Sequence, residues 1–360
     1  MPVHGKDDIV ISEDVILRTC GEPELPEMGV IEQVWETDPV PQDEIEDRAA
    51  AEIGNLDLSV VPDGGEVAVG VGSRGVANIP TIARGAVRGL RERGYEPFVF
   101  PAMGSHGGAT AEGQRETLAA LGVTEDSVGC EIRATMNVEE VGRTEDRGVP
   151  VYADANAVAA DGIIVINRVK PHTSFKGDVE SGLSKMLVIG MGKQKGAKTA
   201  HEWALDWSFR NMIPEIASQH LESLPIAGGI ALVEDQLDDT AIIEGIPPEG
   251  FLDRESELLE IAYDIMPTLP FDELDVAVFD QQGKDISGSG MDTNVIGRLL
   301  APNEPAPTPP EITRIFTRSV TEASHGNSAG IGMSDFIHED FLRDVDMEKT
   351  VINTVTASGA

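Results

Sequence analysis

Two histidines stand in settings suited to proton transfer. His106, in MGSHGGAT, and His172, in KPHTSFKG, each follow an apolar run and sit among small residues. Imidazole is the side chain that takes up and releases protons near neutrality, so a pair of them could serve a substrate from opposite sides. Two more glycine-bearing loops, GVGSRGV and DQQGKDISGSGMD, carry Arg74 and Lys284. Six of the nine lysines, Lys170, Lys176, Lys185, Lys193, Lys195 and Lys198, fall in one short stretch with Arg168 beside them. That concentration reads as a place for a phosphate or carboxylate, or else as a positive patch facing the chain's own acids. His201 closes the stretch and could bind a metal through a neutral ring nitrogen. His4, His220 and His338 lie in contexts that read as surface, and His325 is undecided.

These residues need a scaffold, and the hydrophobic pattern supplies one. EVAVGVG (66–72), EPFVFPAMG (96–104), DGIIVINRV (161–169) and PIAGGIALVED (225–235) read as buried strands. Helical stretches lie between them: NIPTIARGAVRGLRERG, AEGQRETLAALG, and HEWALDWSFRNMIPEIASQ as far as Pro214, with His201 opening that last helix. The alternation predicts an α/β fold of two lobes with parallel-rich sheets and flanking helices, and an active site in the cleft between them. A boundary at MPTLP divides a larger lobe, residues 1–268, from a smaller one, 269–360. In the smaller lobe LDVAVFD, EITRIFTRSV and the terminal TVINTVTA read as strands, and DTNVIGRLL as a helix.

Composition narrows the function classes. The chain of 360 residues carries 63 acidic and 27 basic residues, a formal net charge of -36. Such a field repels phosphate backbones and anionic lipid, so no nucleic acid and no membrane is expected as partner. Acids scattered along the whole chain suit a salt-loving host. Neither a signal peptide nor a long apolar run is visible, and Cys20 and Cys130 match no metal spacing, which together predict a cytoplasmic protein with reduced thiols. The patterns of P-loop, dinucleotide-binding, serine-hydrolase and HExxH proteins are absent.

The stretch PHTSFKGDVESGLSKMLVIGMGKQKGAKTAH, with GSHGGAT before it and DQQGK after it, resembles the nickel-dependent lactate racemase family. The resemblance spans roughly 65–300. It implies an isomerase that attaches a nickel-pincer nucleotide to Lys185, with His201, sixteen residues on, completing the nickel coordination. It further implies His106 and His172 as the acid–base pair, and Arg74, Gln281 and Lys284 as substrate contacts. Gly104, Ser105, Gly107 and Gly108, in the loop around His106, are expected beside the cofactor. The expected activity is racemisation or epimerisation of a 2-hydroxy acid by transient hydride transfer. Several departures from the lactate enzymes point to a different hydroxy acid: Val71 where an acidic residue is expected, Asp280 where a tyrosine is, three extra residues between His172 and Lys185, and no tryptophan in the smaller lobe. The residues alone leave open an anionic-nucleotide carrier or sensor without turnover, and another redox or isomerase reaction on the same cofactor.

Overall fold

The computed structural model describes residues 11–21, 24, 26–300 and 304–358. Its contacts group into two compact units, Thr37–Pro267 and Thr268–Ser358, the second joined by described residues from the first 36. Those N-terminal residues, counted with the larger lobe on sequence grounds, group instead with the smaller unit. His4 lies outside the described residues.

The larger unit is built on a five-stranded sheet in the order β2-β1-β5-β6-β7. Its strands are β1 (Glu66–Val71), β2 (Glu96–Pro101), β5 (Gly162–Arg168), β6 (Ile226–Glu234) and β7 (Thr240–Ile246), while β3 (Val138–Arg143) and β4 (Pro150–Asp154) form a separate antiparallel hairpin. The β1–β2, β1–β5 and β5–β6 pairings are parallel, and only β7 runs antiparallel, at the edge. The central strands are apolar at almost every position because helices cover both faces. β1 buries Val67, Ala68, Val69 and Val71 completely, and Gly70 leaves room for the Phe100 ring, which a β-carbon there would meet at 3.0 Å. On one face, helix Ile79–Glu92 lies close against helix Ile45–Asn55. Gly85 and Gly89, one turn apart, allow this: a β-carbon on Gly85 would stand 2.4 Å from the Glu46 carbonyl oxygen.

Since β2 and β5 flank β1 on opposite sides, the chain reverses direction across the sheet at β1. Ligands of open parallel sheets bind beyond the carboxyl ends of strands at such a point. The loops that leave β1, β2 and β5 there carry Arg74, His106 and His172.

Three expectations are corrected in the helices. The helix bearing His201 runs Lys193–Trp207, so His201 is its ninth residue rather than its first. After Ser208, at φ 63°, a second helix spans Phe209–Ser223 and passes through Pro214. That proline is its sixth residue and removes a single backbone bond near the helix start, which burial of Met212, Ile213, Ile216 and Ala217 outweighs. His220 is fully buried rather than at the surface, with its ring nitrogens 3.0 Å from the Ile216 carbonyl oxygen and 3.1 Å from that of Tyr152. His338 is half-buried and caps helix Glu339–Asp344.

The smaller unit holds a three-stranded parallel sheet in the order β10-β9-β8, from β8 (Glu273–Gln282), β9 (Glu311–Val320) and β10 (Phe336–Ile337). Met291, Ile296, Ile315 and Met333 form its core. The stretch TVINTVTA is helical, within Met347–Ser358, not a strand. Local bonds override its β-branched composition: Thr350 Oγ1 donates to the Asp346 carbonyl at 2.7 Å and accepts from the Ser328 amide at 3.0 Å. The expected helix DTNVIGRLL is reduced to one turn, Thr293–Ile296. Among the described residues no helix is long and apolar enough to cross a membrane, and both cysteines are free.

Candidate active site

Lys185 ends a single helical turn, Leu183–Lys185, and a six-residue π-helix, Met186–Met191, follows directly. The turn is gripped from two sides. Asn167 at the end of β5 donates to the Gly182 carbonyl at 2.7 Å, and the buried Glu255 carboxylate accepts from the Ser184 amide at 2.8 Å and its hydroxyl at 3.0 Å. Gly182 is needed here, since a β-carbon would stand 2.1 Å from Glu255 Oε1. The Lys185 side chain is half-buried, with its Nζ 5.8 Å from the Phe175 ring centre. Burial, with the positive charge of Arg74 nearby, lowers its pKa to about 7. A large share of this amine is therefore neutral and nucleophilic at ordinary pH.

His172 is held at every backbone group and at its ring. Its amide donates to Glu180 Oε2 at 2.5 Å, and its carbonyl accepts from Lys176 Nζ at 2.9 Å. Glu180 Oε1 accepts from the Tyr263 hydroxyl at 2.9 Å, and Lys176 donates to the same hydroxyl at 2.6 Å. The ring Nδ1 accepts the Ser174 amide at 3.0 Å, and Phe175 packs at 4.4 Å between ring centres. Burial first, then the charges of Lys185, Lys176, Arg74 and Lys170, hold its pKa well below the usual imidazole value. His201 packs edge-on against Phe209 at 5.1 Å, and burial, then the charge of Lys185, lowers its pKa too. Both rings are neutral at ordinary pH, the form that binds metals and accepts or donates a proton without prior ionisation.

His106 is exposed on the loop after β2, where its Nδ1 meets the Ser73 hydroxyl at 2.5 Å. Positive φ at Gly104, Gly107 and Gly108 sets the shape of the loop. The fit at Gly107 is tight, as a β-carbon would lie 2.4 Å from the Gly113 carbonyl carbon. Gly104 spends its amide on the Gly190 carbonyl at 3.1 Å, so it joins this loop to the π-helix, while Ser105 accepts the Ala109 amide. Beneath the loop Gln114 donates to the carbonyls of Gly104, at 2.9 Å, and His106, at 3.3 Å. Gln114 in turn accepts from Lys193 at 2.9 Å.

Lys193 changes the reading of the lysine stretch. It is fully buried, paired with Asp154 at 2.9 Å, and also donates to the Pro101 carbonyl. Lys198 pairs with Glu202 in solvent, and Lys195 lies over the Tyr152 ring. The cations that act on His172 are Lys185, Lys176, Arg74 and Lys170. Arg74 is exposed on a loop anchored by the Ala77 amide, which donates to Glu234 at 2.7 Å, while Glu234 also pairs with Arg168. In the smaller unit Gln281 is exposed on β8, and Lys284 donates its amide to Ser324 Oγ at 2.8 Å and its Nζ to the Gly288 carbonyl.

No family model and no curated protein matches the chain. Among solved structures it is similar to the lactate racemase apoprotein from Thermoanaerobacterium thermosaccharolyticum, at 13% identity over 76% of this chain and 67% of that one, with a TM-score of 0.47. At that score any functional reading rests on this chain's own side chains.

The side chains fit a covalently held cofactor in one respect: Lys185 offers a partly neutral amine on a turn held by Asn167 and Glu255. Among the described residues there is no group of three or more His, Cys, Asp or Glu side chains placed to hold a metal. Ser73, Gln114, Glu180, Glu255 and Tyr263 were not anticipated from sequence. Only Glu180 left a signal there, as one of two acids inside the lysine stretch.

Proposed function

We propose that the chain is a racemase or epimerase of a 2-hydroxy acid, working with a nickel-pincer nucleotide attached at Lys185 and with His201 as the protein's nickel ligand. One observation carries the reading: a rigidly held lysine with its pKa lowered to about 7 shares its electrostatic surroundings with Arg74, His172 and His201. A lysine kept merely for charge gains nothing from being neutralised.

When bound, the cofactor supplies a reversible acceptor for the hydride of the substrate carbon. The chain's residues do the rest. Arg74 pairs with the substrate carboxylate, for which a guanidinium fork is well shaped. His106 and His172 hold the proton and the hydrogen bonds of the substrate oxygen. Glu180, Lys176 and Tyr263 keep His172 from moving, and Gln114 does the same for His106, so that orientation is set before substrate arrives. Gln281 and Lys284 are proposed as further substrate contacts on the sequence resemblance alone.

The test is intact mass and peptide mapping of the chain produced in a host that makes the cofactor. A nickel-containing adduct on Lys185, lost in Lys185→Ala together with racemisation of a chiral hydroxy acid, is expected. Racemisation retained in Lys185→Ala would overturn the reading. An unmodified Lys185 in a host proven to load a family member would favour the carrier or sensor.

A further inference from the structure

The turn between β6 and β7 forms a braced platform beside the carboxyl ends of the parallel strands. Asp235 Oδ1 accepts the amides of Leu237 and Asp239 at 2.9 and 3.1 Å, which closes the turn on itself. Two side chains at its base hold the loop that leaves β1. Thr240 Oγ1 accepts from Asn78 Nδ2 at 3.1 Å, and Glu234 Oε1 accepts the Ala77 amide at 2.7 Å. β6 is not a neighbour of β1, because β5 lies between them. Glu234 therefore reaches across the end of β5, and there its other oxygen takes the Arg168 guanidinium. Both side chains of this pair are largely covered, at 17% exposure for Arg168 and 6% for Glu234.

We infer that Glu234 is the residue that positions Arg74: its carboxylate clamps the loop carrying the substrate arginine onto the end of the strand that leads to His172. The two oxygens divide the work. One fixes the backbone three residues beyond Arg74, and the other neutralises Arg168, four residues before His172. Burial lowers the pKa of Arg168, Asp238 opposes this and Arg74 adds to it, so the two guanidiniums stand close enough to repel. A carboxylate that holds both the Arg74 loop and Arg168 offsets that repulsion and leaves the exposed Arg74 charge for the substrate. Glu234 is a positioning residue, since it acts through the backbone of the Arg74 loop.

The inference rests on the proposed function for the role of Arg74, but its first test does not. Amide hydrogen exchange on the full chain without cofactor reads the Ala77 bond directly. Two double variants leave no buried charge unpaired: Arg168→Met with Glu234→Gln keeps an oxygen for the Ala77 amide, and Arg168→Met with Glu234→Leu does not. Exchange at Ala77 is expected to stay near that of the parent in the first and to be about tenfold faster or more in the second, with helix Ile79–Glu92 unchanged in both as the report of an intact fold. Glu234→Asp keeps the charge beside Arg168 but is one methylene short of Ala77, and it gives the same reading should the leucine variant fail to fold. Unchanged exchange in the leucine and aspartate variants, or equal acceleration in the glutamine and leucine variants, overturns the inference. In cofactor-loaded protein, with whichever of L-lactate, L-malate and L-mandelate the parent racemises, the loosened variants should raise KM by about tenfold and change kcat less, as loss of uniform binding does. A fall in kcat at unchanged KM overturns it. Failure of Lys185 to acquire the adduct would instead overturn the proposed function and leave the exchange result standing.

Discussion

The Lys193 ammonium lies 2.9 Å from the Asp154 carboxylate, and both side chains are wholly buried. Asp154 is pushed above its ordinary range by burial and Lys193 is pushed below its own for the same reason, each restrained by the other. Breaking such a pair from one side leaves an uncompensated charge. Lys193→Met should therefore cost about 3–5 kcal/mol. Adding Asp154→Asn should restore part of that loss, and urea denaturation of the single and double variants reads the difference. A double variant less stable than Lys193→Met would show that the pair is not the source.

Lys185 should react with amine-selective acylating reagents along a profile with its midpoint near pH 7, because only the neutral amine attacks and its pKa is about 7. Below that pH the ammonium dominates and the rate falls tenfold per unit. Peptide mapping after brief acetylation at several pH values measures the profile. A midpoint near 10 would mean that Lys185 is an ordinary surface amine.

Glu255 is buried with Oε1 lacking a partner among the described residues, and burial pushes its pKa up to about 7. The folded chain then keeps a proton that the unfolded chain releases above about pH 4.5. Stability contributed by this group is thus present below that pH and is lost as pH rises toward 7, by roughly 3 kcal/mol at about 1.4 kcal/mol per unit. Glu255→Gln should match the parent at pH 5 and exceed it at pH 8, as measured by urea midpoints. Equal midpoints at pH 8 would count against a protonated Glu255.

Gly113→Ala places a methyl group 2.0 Å from the Gly107 carbonyl oxygen. The loop around His106 must then shift, at a cost of about 1–3 kcal/mol. Thermal unfolding together with the NMR signals of the His106 ring checks this, and unchanged signals would mean the loop absorbs the methyl elsewhere.

With a net charge of -36, the folded chain should gain stability steeply as salt rises. Melting temperatures in 0.1 to about 3 M potassium chloride test the proposed salt-loving character. A flat response would assign the acids another purpose.

The parallel strands were legible because their residues are apolar on both faces, as in DGIIVINRV, and the helices beside them because each ends at a glycine or before a break. The β3–β4 hairpin was not: VEEVGR is polar and half-exposed, with nothing in its alternation to mark a strand. TVINTVTA misled because β-branched residues favour strands until capping and tertiary bonds decide otherwise. In the candidate site, side chains that carry charge in unusual places stood out in sequence. Those that hold them did not, because Gln114 and Glu255 are far from their partners along the chain and are ordinary helix residues until burial makes their polar atoms matter. Lys193 belongs to a lysine stretch read either as an anion site or as a patch facing the chain's own acids, and its pairing with Asp154 follows the second reading, though in the core and not at the surface.

The π-helix between Lys185 and Lys193 makes the length of this stretch a matter of phase as well as reach. A π-helix advances less per residue than the roughly 100° of an α-helix, so the six residues Met186–Met191 sweep about the angle of five in α geometry. One deletion is absorbed by closing the π-helix, whereas one insertion has no such outlet and turns Lys185 by about 100° against Lys193, which stays pinned to Asp154. A single-residue deletion in this stretch should thus be tolerated better than a single-residue insertion.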